Sequence, residues 1–231
     1  NLRKEGFCNI GNNGELIHES DTIPLLSNNC AQVYNVGDVM FDVALSVKEK
    51  IGRKQDDILK KHGLNPEDFI LVTIHRADNT DNETRLRNIW DALCALASDN
   101  KKLFFPVHPR TKKYLLQYKL LENIPKNLII SEPVSYTEMI VLESNARIVI
   151  TDSGGVQKES YFFKKPAIIP REETEWVELV EAGWNVLTGA DTARIVNSIS
   201  SVFNGIHCAW QPFYGEGNAS GRMPAIISGI L

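Results

Sequence analysis

The sequence predicts an α/β chain built on a Rossmann-like, doubly wound parallel sheet. Three observations predict it. From about residue 33 onward, short β-branched runs alternate with longer stretches of helical spacing. The short runs are apolar along nearly their whole length, as strands covered on both faces are. One of them, residues 147–151, runs directly into Asp152-Ser153-Gly154-Gly155 and then into a helical pattern, the strand–turn–helix of a βαβ unit.

Taken in order, the candidate strands are QVYNV (32–36), DFILVTIH (68–75), LFFPV (103–107), NLIIS (127–131), RIVIT (147–151), PAIIP (166–170) and NVLTG (185–189). The clearest helix covers 81–98, where Leu86, Ile89, Trp90, Leu93 and Leu96 share one face. Thr80 followed by Glu83 reads as its capping box, and Ser135 followed by Glu138 reads as another. Gly183 lies just past EWVELVEA, where a left-handed cap is expected. Asp191 is the expected N-cap of a helix ending near Phe203. Residues 205–221 read as loop, with a short helix closing the chain. Residues 1–32 break the alternation. They read as the tail of a preceding domain plus a linker, with a turn at 11–14, and 33–231 as the α/β domain.

Composition narrows the function. Of the 231 residues, 43% are hydrophobic and 23% charged, as in a soluble globular protein. A net charge of -4 supplies no basic surface for nucleic acid or an anionic membrane. A phosphate ligand needs none, because backbone amides can hold it. Cys8, Cys30, Cys94 and Cys208 form no C-x-x-C pair and no zinc spacing, which predicts reduced thiols in a cytoplasmic protein and no bound metal. No apolar run is long enough to span a bilayer, and no signal-peptide pattern opens the chain. The opening NLRKEGF, starting at Asn1, predicts a fragment of a longer protein.

RIVITDSGGVQKES, residues 147–160, carries the most chemistry. In a parallel sheet this turn lies at the carboxyl end of a strand, where ligands bind. Gly154 and Gly155 remove side chains, so a diphosphate can approach the backbone. The first N–H groups of the helix then face its oxygens, and Ser153 adds a hydroxyl donor. Glu159, one turn past Gly155, can accept from both ribose hydroxyls of a nucleotide. The plain alternative is a tight turn followed by a solvated glutamate. His75 and Arg76 end a strand at the same sheet edge, where a histidine can donate to phosphate or move a proton. It could equally cap the next helix. His108, after the neighbouring strand, has the same two readings, with the structural one favoured.

Together these segments resemble the non-hydrolysing UDP-N-acetylglucosamine 2-epimerases. HRADNTDNE is similar to their HR-x-E-N segment, FFPVHP to their V-H-x-N/P strand end, and ITDSGGVQKE to their UDP-binding T-D-S-G-G-x-Q-E-E signature. KPAIIPREETEWVE resembles K-P-x-L…R-x-x-T-E-R-P-E, and FYGEGNASGRM resembles P-Y-G-D-G-x-A-S-x-R-I. NLRKEG and YNVGDVMFDVAL are similar to segments at the end of the family's first domain and at its domain junction.

The resemblance implies the C-terminal, UDP-binding half of a GT-B type two-domain fold, and a homodimeric full-length enzyme. It implies elimination of UDP across C1–C2 of the sugar and re-addition with C2 inverted, with no nicotinamide cofactor or metal. His75 takes the active-site histidine, Ser153, Gly154 and Gly155 the phosphate turn, and Glu159 the ribose carboxylate. Met139 falls where the family contacts uracil through the backbone. Trp176 replaces an arginine, Val134 a polar residue near uracil, and Asp38 an asparagine. The G-D-V-M-F-D and T-E-W-V-E variants resemble the subset acting on UDP-2,3-diacetamido uronic acids, whose carboxylate Arg171 or an arginine of the family's first domain could meet. The family's base motifs H-G-D-T and E-A-G-L-R do not occur in this chain. The competing expectations are a GT-B glycosyltransferase, a hydrolysing epimerase, or a UDP-binding module without turnover.

Overall fold

A computed structural model of the chain describes residues 2–7, 31–203 and 209–228. Six strands form one parallel sheet: β1 (Ile70–Thr73), β2 (Leu103–Pro106), β3 (Leu128–Ser131), β4 (Ile148–Thr151), β5 (Ala167–Ile169) and β6 (Asn185–Leu187). Their order is β3-β2-β1-β4-β5-β6. The sheet therefore grows outward from β1 in one direction and from β4 in the other, which is the doubly wound, Rossmann-like α/β arrangement the sequence predicts. β1 and β4 pair in register from Ile70↔Ile148 to Thr73↔Thr151.

Ten α-helices accompany these strands among the described residues. They are α1 (Val39–Ile51), α2 (Lys54–Lys61), α3 (Ala77–Thr80), α4 (Glu83–Ser98), α5 (Pro109–Gln117), α6 (Tyr136–Asn145), α7 (Gly154–Phe162), α8 (Val177–Glu181), α9 (Thr192–Phe203) and α10 (Ala219–Ser228). The period of two along each strand divides its side chains between two cores. Ile70, Val72, Leu103, Phe105, Ile148 and Ile150 face Leu86, Leu93 and Leu96 of α4 and Ile195 and Ile199 of α9. Leu71, Phe104, Val149, Ala167 and Ile169 face Leu59 of α2 and Val141 and Leu142 of α6. Both faces are covered, so the strands carry no polar side.

Six of the seven expected strands are present. QVYNV is not a strand. Asn35 Oδ1 accepts the N–H of Gly37, whose φ is +94°, and Asp38 Oδ1 accepts the N–H of Met40 at 2.8 Å. This turn and cap chemistry feeds α1 instead of a ladder. The Thr80–Glu83 capping box is also absent. α4 is capped by Asn82, which accepts from Arg85 N at 3.1 Å, while the Thr80 hydroxyl donates back to the Arg76 carbonyl within the separate turn α3. The Ser135–Glu138 box is present in both directions. Gly183 has φ +73°, and Asp191 accepts from Arg194 N at 2.8 Å, as expected. α10 begins at Ala219, slightly inside the expected loop. The turn at 11–14 lies outside the described residues, as do Cys8, Cys30 and Cys208; Cys94 is a free thiol.

Two compact units are distinguished, Asn1–Leu45 with Pro212–Leu231, and Ser46–Gln211, which contains the whole sheet. Within the first, the Asp42 carboxylate accepts the N–H groups of Ala219 and Ser220, which caps α10. No helix among the described residues is long and apolar enough to cross a membrane.

Candidate functional site

The reversal of strand order lies between β1 and β4, so the segments that leave their carboxyl ends diverge and open a crevice there. The residues that fix both lips are buried and polar. Thr73 Oγ1 and Thr151 Oγ1 share a hydrogen bond of 2.6 Å across the β1–β4 pair. Asp152, fully buried, accepts from His75 N at 3.0 Å, Arg76 N at 3.0 Å and Asn79 Nδ2 at 3.1 Å. Asn79 Nδ2 also donates to the Pro170 carbonyl, bringing the end of β5 into the same cluster. A buried carboxylate is tolerated only when donors surround it, and here four N–H···O contacts do so. Asp152 thus fixes the backbone that presents His75 and Arg76.

His75 and the glycine turn that opens α7 are therefore brought together. The His75 side chain is 39% exposed, with Nδ1 3.8 Å from Asp152 Oδ1. His108 lies beside it, ring centroids 5.6 Å apart. The His108 Nδ1 accepts from Arg110 N at 3.2 Å, so it serves as the N-cap of α5. This is the structural reading favoured from the sequence.

Ser153 is the N-cap residue of α7, in extended conformation, and its side chain makes no cap bond. The hydroxyl is not spent on the helix. A Cβ added at Gly154 would meet Glu175 Oε2 at 3.5 Å and Trp176 Nε1 at 3.6 Å, while one at Gly155 would meet only Ser153 Oγ, at 3.9 Å. These are ordinary van der Waals distances, so the protein's own packing does not exclude a side chain at Gly154 or Gly155.

That segment is held in place by its own contacts. Trp176 Nε1 donates to the Gly154 carbonyl at 2.8 Å, and Lys158 lies over the indole at 4.4 Å. Thr174 Oγ1 donates to Gln157 Oε1 at 2.6 Å. Arg171 makes a two-pronged pair with Glu175, at 2.9 and 3.0 Å, and Arg76 adds a third contact at 3.2 Å. The Arg171 guanidinium, helped by Arg76, holds the Glu175 carboxyl down to about 2. Arg171 is therefore already engaged by an internal carboxylate.

Glu159 is not a solvated helix residue: it is 8% exposed and accepts the Tyr136 hydroxyl at 2.9 Å. Burial raises its carboxyl above the usual range. The Tyr136 hydroxyl is pushed up by burial and then by Glu159, so it stays a donor. Met139, one turn along α6 from Ser135, donates its N–H to the Ser135 carbonyl at 2.9 Å and turns its side chain to the core. That backbone N–H is committed within the helix.

Sequence reasoning singled out the turn and His75 but not Asp152, Asn79, Tyr136, Glu143 or Glu175. The Asp of TDSGG was a visible signal, since an acid at a strand end before a glycine turn needs donors from a neighbouring segment. Tyr136 and Glu143, seven residues apart on α6, share one helix face, but nothing in the sequence places that face against Glu159.

The family model described as UDP-N-acetylglucosamine 2-epimerase matches residues 19–228. A UDP-N-acetylglucosamine 2-epimerase homolog of Methanococcus maripaludis is 44% identical over 86% of this chain and 55% of its own length. The UDP-2,3-diacetamido-2,3-dideoxy-D-glucuronate 2-epimerase of Pseudomonas aeruginosa is 40% identical over 86% of this chain and 53% of its own. Among solved structures, the UDP-GlcNAc 2-epimerase of Methanocaldococcus jannaschii in complex with UDP-GlcNAc and UDP matches with TM-score 0.75 and 33% identity. It covers 85% of this chain and 55% of that one. The chain spans about half the length of the curated relatives it matches.

Proposed function

The chain belongs to the UDP-N-acetylglucosamine 2-epimerase family, and from that membership we propose that it is the UDP-holding half of an enzyme that inverts C2 of a UDP-linked acetamido sugar. The observation that carries this reading is the open glycine turn of α7 set beside His75 at the β1–β4 crevice, with Asp152 tying the two together. The UDP diphosphate lies on the N–H groups that open α7, with the Ser153 hydroxyl as a further donor. Glu159 takes the ribose hydroxyls, and the uracil sits toward the Ser135–Met139 end of α6.

The reaction fits these parts. As the C1–O bond breaks, negative charge develops on the departing diphosphate, where the helix terminus stabilises it. The C2 proton leaves, the C1=C2 double bond forms, and UDP adds back after C2 is reprotonated from the other face. His75 donates to the leaving diphosphate or carries a proton near it. The C2 proton needs a base on each face. The family motifs that supply those carboxylates are not in these 231 residues, so this chain alone binds UDP without turnover. Calorimetric titration with UDP, together with an assay for UDP release from UDP-N-acetylglucosamine, tests this. Heat of binding without release is expected; release by the pure chain, or no binding, rejects it.

A second reading, a UDP-2,3-diacetamido uronic acid as substrate, is favoured by Trp176. Where most of the family is read to place an arginine, this chain places an indole that holds the Gly154 carbonyl. In that reading Arg76 supplies charge at the crevice and the sugar carboxylate competes with Glu175. Comparing kcat/KM for the two sugars on an active enzyme carrying this segment decides between them.

A further inference from the structure

Glu159 belongs to α7, and a side chain from a different element holds it. Tyr136 is the first residue of α6, directly after the Ser135 cap, and its hydroxyl donates to Glu159 Oε1 at 2.9 Å. The two ends of this bond differ in surroundings: Tyr136 is 43% exposed and Glu159 only 8%. A ring open to solvent is thus joined to a carboxylate almost shut off from it. The start of α6 is itself fixed. Ser135 Oγ accepts from Glu138 N while the Glu138 carboxylate accepts from Ser135 N, and Lys61 of α2 holds the same carboxylate at 2.7 Å. A tyrosine set there has two side-chain torsions to settle, so its oxygen is placed at little entropic cost. The neighbouring charged groups lie differently. Lys158 has its ammonium over the Trp176 ring at 4.4 Å. Glu143, further along α6, is fully buried, with no hydrogen-bond partner for either oxygen among the described residues.

We propose that Tyr136 is a positioning residue of the nucleotide site: its hydroxyl sets the plane of the Glu159 carboxylate, so that the remaining lone pairs accept from both vicinal hydroxyls of a ribose. This inference rests on the placement of Glu159 at the ribose. An ionised carboxylate offers about four lone-pair sites. Tyr136 takes a site on Oε1 and leaves Oε2 whole, which is room enough for a diol. A phenol donating to a carboxylate makes a charge-assisted bond, among the stronger kinds. Without it the last torsion of a glutamate is broad, and the ligand itself must order the carboxylate as it binds. Two hydroxyls accepted at once demand one orientation of that plane. A sugar with a single hydroxyl tolerates many. Tyr136 therefore acts on the discrimination between a ribonucleotide and its deoxy counterpart more than on nucleotide binding as a whole.

The test is calorimetric titration of the chain with UDP and with 2′-deoxy-UDP, for the wild type, Tyr136→Phe and Glu159→Gln, with a thermal melt of each. The wild type prefers UDP, and Glu159→Gln loses most of that preference. Tyr136→Phe keeps the ring at an exposed position and melts close to the wild type. It reduces the preference for UDP by about fivefold, while 2′-deoxy-UDP affinity stays within about twofold. A preference left intact in Tyr136→Phe, beside its loss in Glu159→Gln, overturns the proposal and makes Tyr136 a surface residue. Equal weakening of both nucleotides overturns it too, because that marks a disturbed α6 and not a mis-set carboxylate. If the wild type shows no preference, or Glu159→Gln keeps it, the ribose reading of Glu159 fails and the role of Tyr136 falls with it.

Discussion

The carboxylate of Asp152, at the end of β4, accepts the backbone N–H of Arg76, just past β1, at 3.0 Å. With His75 N and Asn79 Nδ2 on the same group, it joins the two lips of the crevice through one buried charge. Asp152→Ala leaves the half-buried His75 and Arg76 N–H groups without their acceptor and Asn79 Nδ2 with the Pro170 carbonyl alone. The expected loss is about 3 kcal/mol or more in urea denaturation, together with weaker UDP binding. A variant of wild-type stability would show that the loops are held by other contacts.

Gly155→Ala separates ligand binding from folding. A Cβ there meets only Ser153 Oγ, at 3.9 Å, and alanine is the better residue inside a helix by roughly 0.5–1 kcal/mol. The variant should melt at or slightly above the wild-type temperature. It should bind UDP at least about tenfold more weakly, because the new methyl occupies the path of the diphosphate. Unchanged UDP affinity would move the diphosphate away from this turn.

Trp176→Phe keeps an aromatic ring, though a smaller one, and removes the 2.8 Å bond to the Gly154 carbonyl. A loss of about 1 kcal/mol of stability is expected. UDP affinity should fall severalfold if the indole sets the conformation of the turn. Thermal melts and titration measured side by side separate these effects. A full-strength binder with lowered stability would make Trp176 a packing residue alone.

Glu138 gives a pH prediction with a definite sign. Lys61 at 2.7 Å, followed by the Ser135 backbone and hydroxyl, draws its carboxyl from 4.5 to about 2. A carboxyl depressed in the folded state stabilises fully above its unfolded value, and that contribution is lost as pH falls through the folded value. Glu138→Gln should therefore lower stability at neutral pH. The gap to wild type should narrow from about 4.5 downward and close near 2. A gap independent of pH would assign the cost to the capping box without its charge.

Much of the fold was legible because the strands are covered on both faces and so read as apolar runs bounded by turns. The Ser135 and Asp191 caps were legible because each is completed within three residues. QVYNV misled because its β-branched residues stand just before Asn35, Gly37 and Asp38, whose local hydrogen bonds outweigh strand propensity. The Thr80 cap misled because Thr80 closes the short helix α3, its N–H and its hydroxyl both donating to the Arg76 carbonyl, and Asn82 caps α4 instead. The strand–turn–helix at Ser153, Gly154 and Gly155 was legible because it is local. The Asp152 clamp, the contact of Arg76 with Glu175 and the Tyr136–Glu159 hydrogen bond were not, because each joins residues brought together by the packing of separate elements.

The measurement that tests the central claim most directly is a crystal structure of the chain with UDP. Diphosphate oxygens are expected on the N–H groups of Gly154, Gly155 and Val156, the ribose hydroxyls on Glu159, and His75 beside the terminal phosphate. UDP bound elsewhere, or a turn left empty while calorimetry shows tight binding, would contradict it.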